Sequence, residues 1–277
     1  MEDQIVSLFQ FLFDLMTSIN SNFSSFAGSS TGTVVSVVNN VATAIKPIGY
    51  ALLALFALIE MAQLSERVGN VTGFMGAGLV INVLVKLCLC KLVVDNSTEI
   101  CTFLITLGDN IISKVGSTSV ATVNIEQFKQ NIHSAFPDWW DIFGQLGFFI
   151  SSSIFIFISA IAVTIVRVIY AARYLELYAM TAVSPIPLST CLSKHFNAAP
   201  NFIKSLFAVC LQGALLMLVT KIFNVIFVNE INGLGSLPVN GWAMIWSMLG
   251  SILFNSILFL VGSLQTQKWA KSICHAM

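Results

Sequence analysis

Apolar residues fall in long runs that short polar segments separate, and this pattern predicts helices that cross a membrane. The clearest runs cover residues 44–64, 71–94, 202–228 and 242–264. Each is long enough for a bilayer span, which takes about 20 residues. A fifth region, 142–192, stays apolar for about fifty residues, too many for one upright helix at 1.5 Å per residue. The sequence therefore predicts several spans.

The long apolar region has two interpretations. One is a single helix that leaves the bilayer near Arg167 to Arg173, followed by a segment broken at Pro185 and Pro187. The other is two full spans joined at residues 168–174. Lys and Arg prefer cytoplasmic loops, and the first interpretation puts more of them on one side. It predicts about five full spans, with the N-terminus outside and the C-terminus in the cytoplasm.

The first 33 residues differ from the rest of the chain. An amphipathic helix is predicted within residues 5–19, because its apolar side chains share one stripe: Leu8, Phe9, Leu12, Phe13 and Met16. It is too short to span and is expected to lie in the interface or against a partner. A serine-rich linker completes residues 1–33. Residues 34–277 are expected to form a multi-span membrane domain.

Residues 95–141 are the most polar part of that domain. They contain a short amphipathic helix with Asp109 and Lys114, then a water-facing segment. Trp139 and Trp140 end it and are expected to anchor the chain at the headgroup level. With the orientation above, this insertion lies outside the cytoplasm.

Small residues at the start of the second span favour close helix packing. Gly73 and Ala77 are four residues apart, as are Thr72 and Gly76. This spacing lets two helices approach closely. A phosphate-binding loop would need a preceding strand and a Lys-Ser/Thr ending, and the segment has neither.

Composition supports a membrane protein and narrows its function. The chain has 277 residues, of which 56% are apolar and 9% charged, and its net charge is zero. Soluble domains have about 25% charged residues. The lack of any basic run argues against strong autonomous binding of nucleic acid. The predicted fold class is an all-α polytopic bundle of about five to seven transmembrane helices.

Six cysteines are scattered along the chain without a CxxC pair. They are expected to be inert buried thiols rather than disulfides or metal ligands. The sequence predicts no catalytic residues, no cofactor and no metal site.

The segment AARYLELYAMTAVSPIPLST, residues 171–190, interrupts the apolar region with charge and proline. Arg173 and Glu176 are three residues apart, close enough to interact on a helix. Pro185 and Pro187 break a helix and free carbonyl groups that protein or water must cover. The segment is either a structural bend or an element that lines a pathway. We expect the charges at the cytoplasmic end of the long helix, in contact with each other or with a neighbouring subunit.

Residues 173–190, RYLELYAMTAVSPIPLST, resemble a segment of TrbL-type subunits, the sixth Vir-B component of conjugative type IV secretion systems. Arg173, Glu176, Ser184, Pro185 and Pro187 carry the resemblance, which is loose over residues 44–264. It implies a non-enzymatic scaffold or channel subunit of the bacterial cytoplasmic membrane. It also implies a homo-oligomer that works with other secretion subunits, including ATPases, and contacts translocated single-stranded DNA with bound relaxase only transiently.

Two other classes remain open. A secondary transporter would show two similar halves with broken helices at matching positions, whereas this sequence has one proline-broken segment without a counterpart. A pore-less membrane anchoring or immunity protein is the second alternative.

Overall fold

The computed structural model confirms an all-α membrane protein. It describes residues 7, 10, 11, 14, 15, 33–68, 74–118, 142–193, 196–233 and 242–275, and no strand occurs among them. The helices are α1 Thr33–Val68, α2 Phe74–Asp95, α3 Ser97–Gly116, α4 Ile142–Val183, α5 Pro185–Leu188, the 3₁₀ helix η1 Ser189–Leu192, α6 Ala198–Gly233 and α7 Trp242–Cys274.

Four of the described helices are long and apolar enough to cross a bilayer. The corresponding segments are Val34–Glu66, Phe149–Val183, Ala198–Asn229 and Leu249–Cys274. Their surfaces follow membrane chemistry, since large apolar side chains face outward while serine, threonine and asparagine side chains are buried between helices. Small and polar residues are common at helix contacts in lipid. The polytopic membrane fold is therefore confirmed.

Helix α1 is longer than the predicted first span. It begins at Thr33 rather than near residue 44, so Pro47 lies inside the helix. A missing N–H matters little near a helix start, whereas here it falls in the interior of α1. A proline inside a helix cannot donate to the carbonyl four residues earlier, here that of Thr43.

Helix α4 decides between the two interpretations of the long apolar region. It runs unbroken from Ile142 to Val183 over 42 residues and passes through residues 168–174. At 1.5 Å per residue its length is about 63 Å. The single long helix is confirmed, and the alternative of two spans joined at residues 168–174 is wrong.

Helices α2 and α3 meet end to end. The Asn96 N–H donates to the Leu92 carbonyl at 3.1 Å, and the Ile100 N–H donates to the Asn96 carbonyl at 3.0 Å. Helical hydrogen bonds thus continue through the joint. The short helix predicted in the polar segment is confirmed as α3.

The chain divides into two compact units. The first comprises Met1–Phe26, Ile111–Ala172 and Gly213–Gln267; the second comprises Ala27–Asn110, Arg173–Gln212 and Lys268–Met277.

In the first unit, aromatic rings and one hydroxyl pair join α4, α6 and α7. The rings of Phe223 and Phe259 stack with centroids 4.5 Å apart. The Tyr170 and Thr220 hydroxyl groups lie 2.9 Å apart. Because Thr220 donates its own proton to the Leu216 carbonyl, Tyr170 is the donor of this pair.

Within the first unit, the N-terminal segment contacts α4. Ser7, Gln10, Phe11, Asp14 and Leu15 are its described residues, and all are helical. The Arg167 Nη2 atom donates to the Leu15 carbonyl at 2.7 Å. Arg167 thus ties α4 to this segment. The predicted apolar stripe at residues 8, 9, 12, 13 and 16 lies outside the described residues.

Candidate functional site: the proline turn

The long helix α4 ends in a compact turn, residues 184–192, which we call the proline turn. It contains Ser184, α5 and η1. The Ser184 N–H donates to the Thr181 carbonyl at 3.3 Å, and the Leu188 N–H donates to the Ser184 carbonyl at 3.2 Å. Neither Pro185 nor Pro187 has an N–H to donate, so the helix cannot continue unchanged. The chain becomes extended at Ser193.

The proline turn packs against α1 at a glycine. A Cβ atom added to Gly49 would lie 2.9 Å from the Pro185 carbonyl oxygen and 3.3 Å from the Pro185 Cβ. Such a distance is shorter than side chains tolerate, so a larger residue would push the turn away. Gly49 therefore permits the backbone of the turn to touch α1.

The same turn meets α2 through two cysteines. The sulfur atoms of Cys90 and Cys191 are in direct contact, and their Cα atoms are 6.0 Å apart. That Cα separation is typical of disulfides. The expectation of inert thiols is wrong for this pair. Among the described residues, the free cysteines are Cys88, Cys101, Cys210 and Cys274.

Apolar contacts and backbone hydrogen bonds complete the turn. Leu192 packs with Leu53 of α1 and with Cys90, and Phe196 lies against Phe56 with ring centroids 5.2 Å apart. The Ala199 N–H, in the first turn of α6, donates to Thr190 Oγ1 at 3.0 Å. Since the first N–H groups of a helix lack intrahelical partners, Thr190 ties the proline turn to the start of α6.

Asp95, the last residue of α2, lies at the same level of α1 as the turn. Lys46 Nζ donates to the Asp95 carbonyl at 2.8 Å, and the Tyr50 hydroxyl donates to Asp95 Oδ1 at 2.5 Å. Lys46, Gly49 and Tyr50 lie within about one helical turn of each other. Asp95 and Pro185 must therefore lie at a similar depth. The predicted arrangement, with residue 95 outside the cell and the prolines at the cytoplasmic face, cannot hold in both parts.

Arg173 and Glu176 have different surroundings although they are three residues apart. Arg173 is only 5% exposed, and its guanidinium donates through Nη2 to the Val209 carbonyl. Glu176 is exposed. The buried arginine thus contacts α6, while the carboxylate faces outward from the chain.

The remaining predicted residues concern helix packing and interfacial anchoring. Gly76 and Ala77 lie in the first turn of α2, and Gly73, Trp139 and Trp140 lie outside the described residues. Within the described ranges, no three His, Cys, Asp or Glu side chains are grouped so that they could hold a metal ion.

Sequence reasoning missed the glycine contacts that the structure shows. Gly49 meets Pro185, Gly108 meets Cys210, and Gly213 meets Ile112. These glycines lie singly within long helices, without the four-residue spacing that marks a packing motif. Their only signal in the sequence is a glycine inside a predicted helix, where it costs stability and calls for a reason.

Comparison with known proteins identifies the family. The model of the family described as "TrbL/VirB6 plasmid conjugal transfer like protein" matches residues 15–185. The match covers more than half of the chain and includes α1 to α4, with Arg173, Glu176 and Ser184. The chain belongs to this family.

A TrbL/VirB6 protein is a membrane component of conjugal transfer machinery, and the four apolar helices agree with a place in the membrane. The match ends at Pro185, the first residue of α5. No curated protein and no solved structure matches the chain.

Proposed function

We propose that this protein is a scaffold and channel subunit in the bacterial cytoplasmic membrane that helps pass single-stranded DNA, with its bound relaxase, during conjugation. The family match over residues 15–185 carries the proposal. It favours conjugal transfer over the transporter and anchoring alternatives. In this proposal the protein is not an enzyme, and partner ATPases supply the energy.

The charge of the chain suits a conduit better than a DNA-binding protein. Lys and Arg together number 13, as do Asp and Glu, so the net charge is zero. Proteins that grip DNA neutralise several phosphates with basic side chains, and each such contact adds affinity. A passage subunit has to release its cargo. Neutrality therefore supports transient rather than stable contact with DNA.

An outward-facing carboxylate supports assembly with further subunits. Glu176 is exposed on α4, next to Leu175, which is 74% exposed. A charged side chain that faces lipid is costly, and such residues usually face a bundle interior or a water-filled cavity. We place Glu176 at a contact with a second copy of the chain.

The Glu176 contact predicts a selective assembly defect. Glu176→Gln should insert normally, because removing an exposed charge leaves the fold of the single chain intact. It should nevertheless shift detergent-solubilised protein from the oligomer toward the monomer in light-scattering chromatography. Glu99, exposed on α3, offers the matched control Glu99→Gln, which should keep the oligomer. An unchanged oligomer for Glu176→Gln contradicts this placement.

The conduit role is tested by cross-linking DNA in transit. Donor cells that carry a tagged copy are treated with formaldehyde during mating, and the DNA that copurifies is quantified for each strand. The transferred strand should be enriched over the retained strand, and enrichment should vanish in donors without relaxase. If deletion abolishes mating but neither strand is enriched, the protein is a scaffold that lies outside the DNA path. Normal mating upon deletion would contradict the whole proposal.

A further inference from the structure

Within the first unit, the last turns of α3 pack lengthwise against α6. Glycines let the two helices approach closely, and the facing pairs are Ile112 with Gly213 and Gly116 with Met217. Just past the end of α3, the Thr118 carbonyl accepts a hydrogen bond from Lys221 Nζ at 3.0 Å. Residue numbers rise together in both helices through these three contacts. The two helices therefore run parallel, side by side, instead of crossing at one point.

These contacts place α3 at the depth of the bilayer core. Residues 205–220 of α6 carry no charged side chain, and at 1.5 Å per residue they extend about 24 Å, most of the hydrocarbon thickness of about 30 Å. Gly213 and Met217 lie in this stretch, as does Cys210, which faces Gly108 within the second unit. A helix in the membrane interface lies in the membrane plane and would not follow a span along its length.

The face of α3 opposite these contacts is polar and exposed. The buried face contains Cys101, Gly108 and Ile112. At 3.6 residues per turn, one sector on the other side, about a third of the circumference, holds six exposed residues that we call the polar stripe: Glu99, Thr102, Thr106, Asn110, Lys114 and Ser117. Phe103 is the exposed apolar residue in that sector.

A polar stripe at this depth is costly if it faces lipid. The Thr106 hydroxyl donates to the Thr102 carbonyl at 2.8 Å, so it is satisfied within the helix. The amide of Asn110 and the ammonium group of Lys114 have more hydrogen-bonding atoms to satisfy. Residues of this kind within a membrane usually face the interior of a bundle or a water-filled cavity. Since the stripe is exposed in the single chain, the interior of this bundle does not cover it.

We propose that the polar stripe of α3 lines a water-filled passage between copies of this chain. The proposal rests on the channel role given above and names the surface that water and the DNA backbone would meet. The single charges of Glu99 and Lys114 balance each other, and hydroxyl and amide groups supply the rest. Such a surface hydrates a passage without neutralising phosphates, which tight DNA binding requires.

Cysteine accessibility in the full-length protein tests the lining. In a cysteine-free background, Thr106→Cys and Asn110→Cys are each compared with the next position of the same helix, Leu107→Cys and Ile111→Cys. All four native side chains are exposed, but Leu107 and Ile111 lie beside the stripe. Membranes accessible from both sides are treated with a charged maleimide, which reacts with the thiolate. The stripe positions should label about tenfold faster, because an apolar setting raises a thiol pKa by about one unit or more.

Denaturation in detergent should equalise the labelling of all four variants, which shows that each thiol is present. Equal labelling rates within both pairs of neighbouring positions in the native protein overturn the proposal, because the stripe then faces lipid or protein.

A mating assay separates this proposal from the proposed function. A membrane-permeant maleimide should reduce transfer from donors with Thr106→Cys and spare donors with Leu107→Cys. Rapid labelling of the stripe without loss of transfer would put it in water away from the DNA path, and would overturn the lining while the channel role stands. Normal mating upon deletion would instead overturn the proposed function, and the labelling rates would still show whether α3 faces water.

Discussion

At the scale of single residues, backbone contact decides how the proline turn is held. The carbonyl oxygen of Pro185 lies so close to Gly49 that a methyl group would have to displace it. Leu192, at the end of the same turn, packs with Leu53 and Cys90, so apolar contacts hold the turn as well. A small change at Gly49 should therefore act on the turn rather than on α1 itself.

Gly49→Ala is predicted to loosen the proline turn. Alanine favours the helix by about 1 kcal/mol, but crowding a packed contact costs about 1–3 kcal/mol, so the variant should be destabilised or neutral overall. Limited proteolysis near residues 184–197 should become faster. Gly78→Ala, which adds its methyl group in open space, should slow or leave unchanged the same cleavage. Equal protection in both variants contradicts the contact.

At the scale of elements, the proline turn connects the end of α4 to three other helices. It ends α4, touches α1 through Gly49, meets α2 through Cys90 and Cys191, and ties the first turn of α6 through Thr190. A four-residue helix and a four-residue 3₁₀ helix would have little stability alone. Contacts with α1 and α2 therefore fix the shape of the turn.

The contact between the turn and α2 predicts a cross-link. Mild oxidation of membranes should join Cys90 to Cys191, visible as a peptide pair by mass spectrometry, because their Cα atoms are 6.0 Å apart. Cys88→Ser should keep this cross-link, since residues two apart on a helix point to different faces. Cys90→Ser should abolish it. A pair that instead joins Cys88 to Cys191 would show a different register of α2 against the turn.

Much of this architecture could be predicted from hydrophobic runs, and the rest could not for physical reasons. The all-α fold, the helix over residues 97–116 and the break at Pro185 follow from period, length and proline chemistry. The contacts of Gly49 with Pro185 and of Arg173 with Val209 join residues 136 and 36 positions apart, respectively. Such pairings depend on how the helices pack in three dimensions. That packing cannot be read from a single sequence. Glu176 is the natural partner to expect for Arg173 because proximity along a helix is readable, whereas the Val209 carbonyl that Arg173 contacts lies on another helix.

At the scale of the whole molecule, Asp95 and Pro185 meet nearly the same turn of α1, so they should face the same side of the membrane. Single cysteines replacing the exposed residues Asn96 and Val183, in a cysteine-free background, test this with an impermeant maleimide. Both should label on intact cells, or both only after lysis, or neither. Labelling of one from outside and the other only after lysis would contradict the shared depth.

The most direct test of the account is mating frequency in donors that lack the chromosomal or plasmid copy and carry a complementing variant. Wild type and Gly78→Ala should restore transfer fully. Gly49→Ala, present at the same level in the membrane, should reduce transfer below that of Gly78→Ala, because the added methyl group displaces the Pro185 carbonyl and with it the proline turn. This outcome would show that DNA transfer by this member of the TrbL/VirB6 family depends on the turn that ends α4. Undiminished transfer in the deletion strain, or equal transfer with Gly49→Ala and Gly78→Ala, would contradict it.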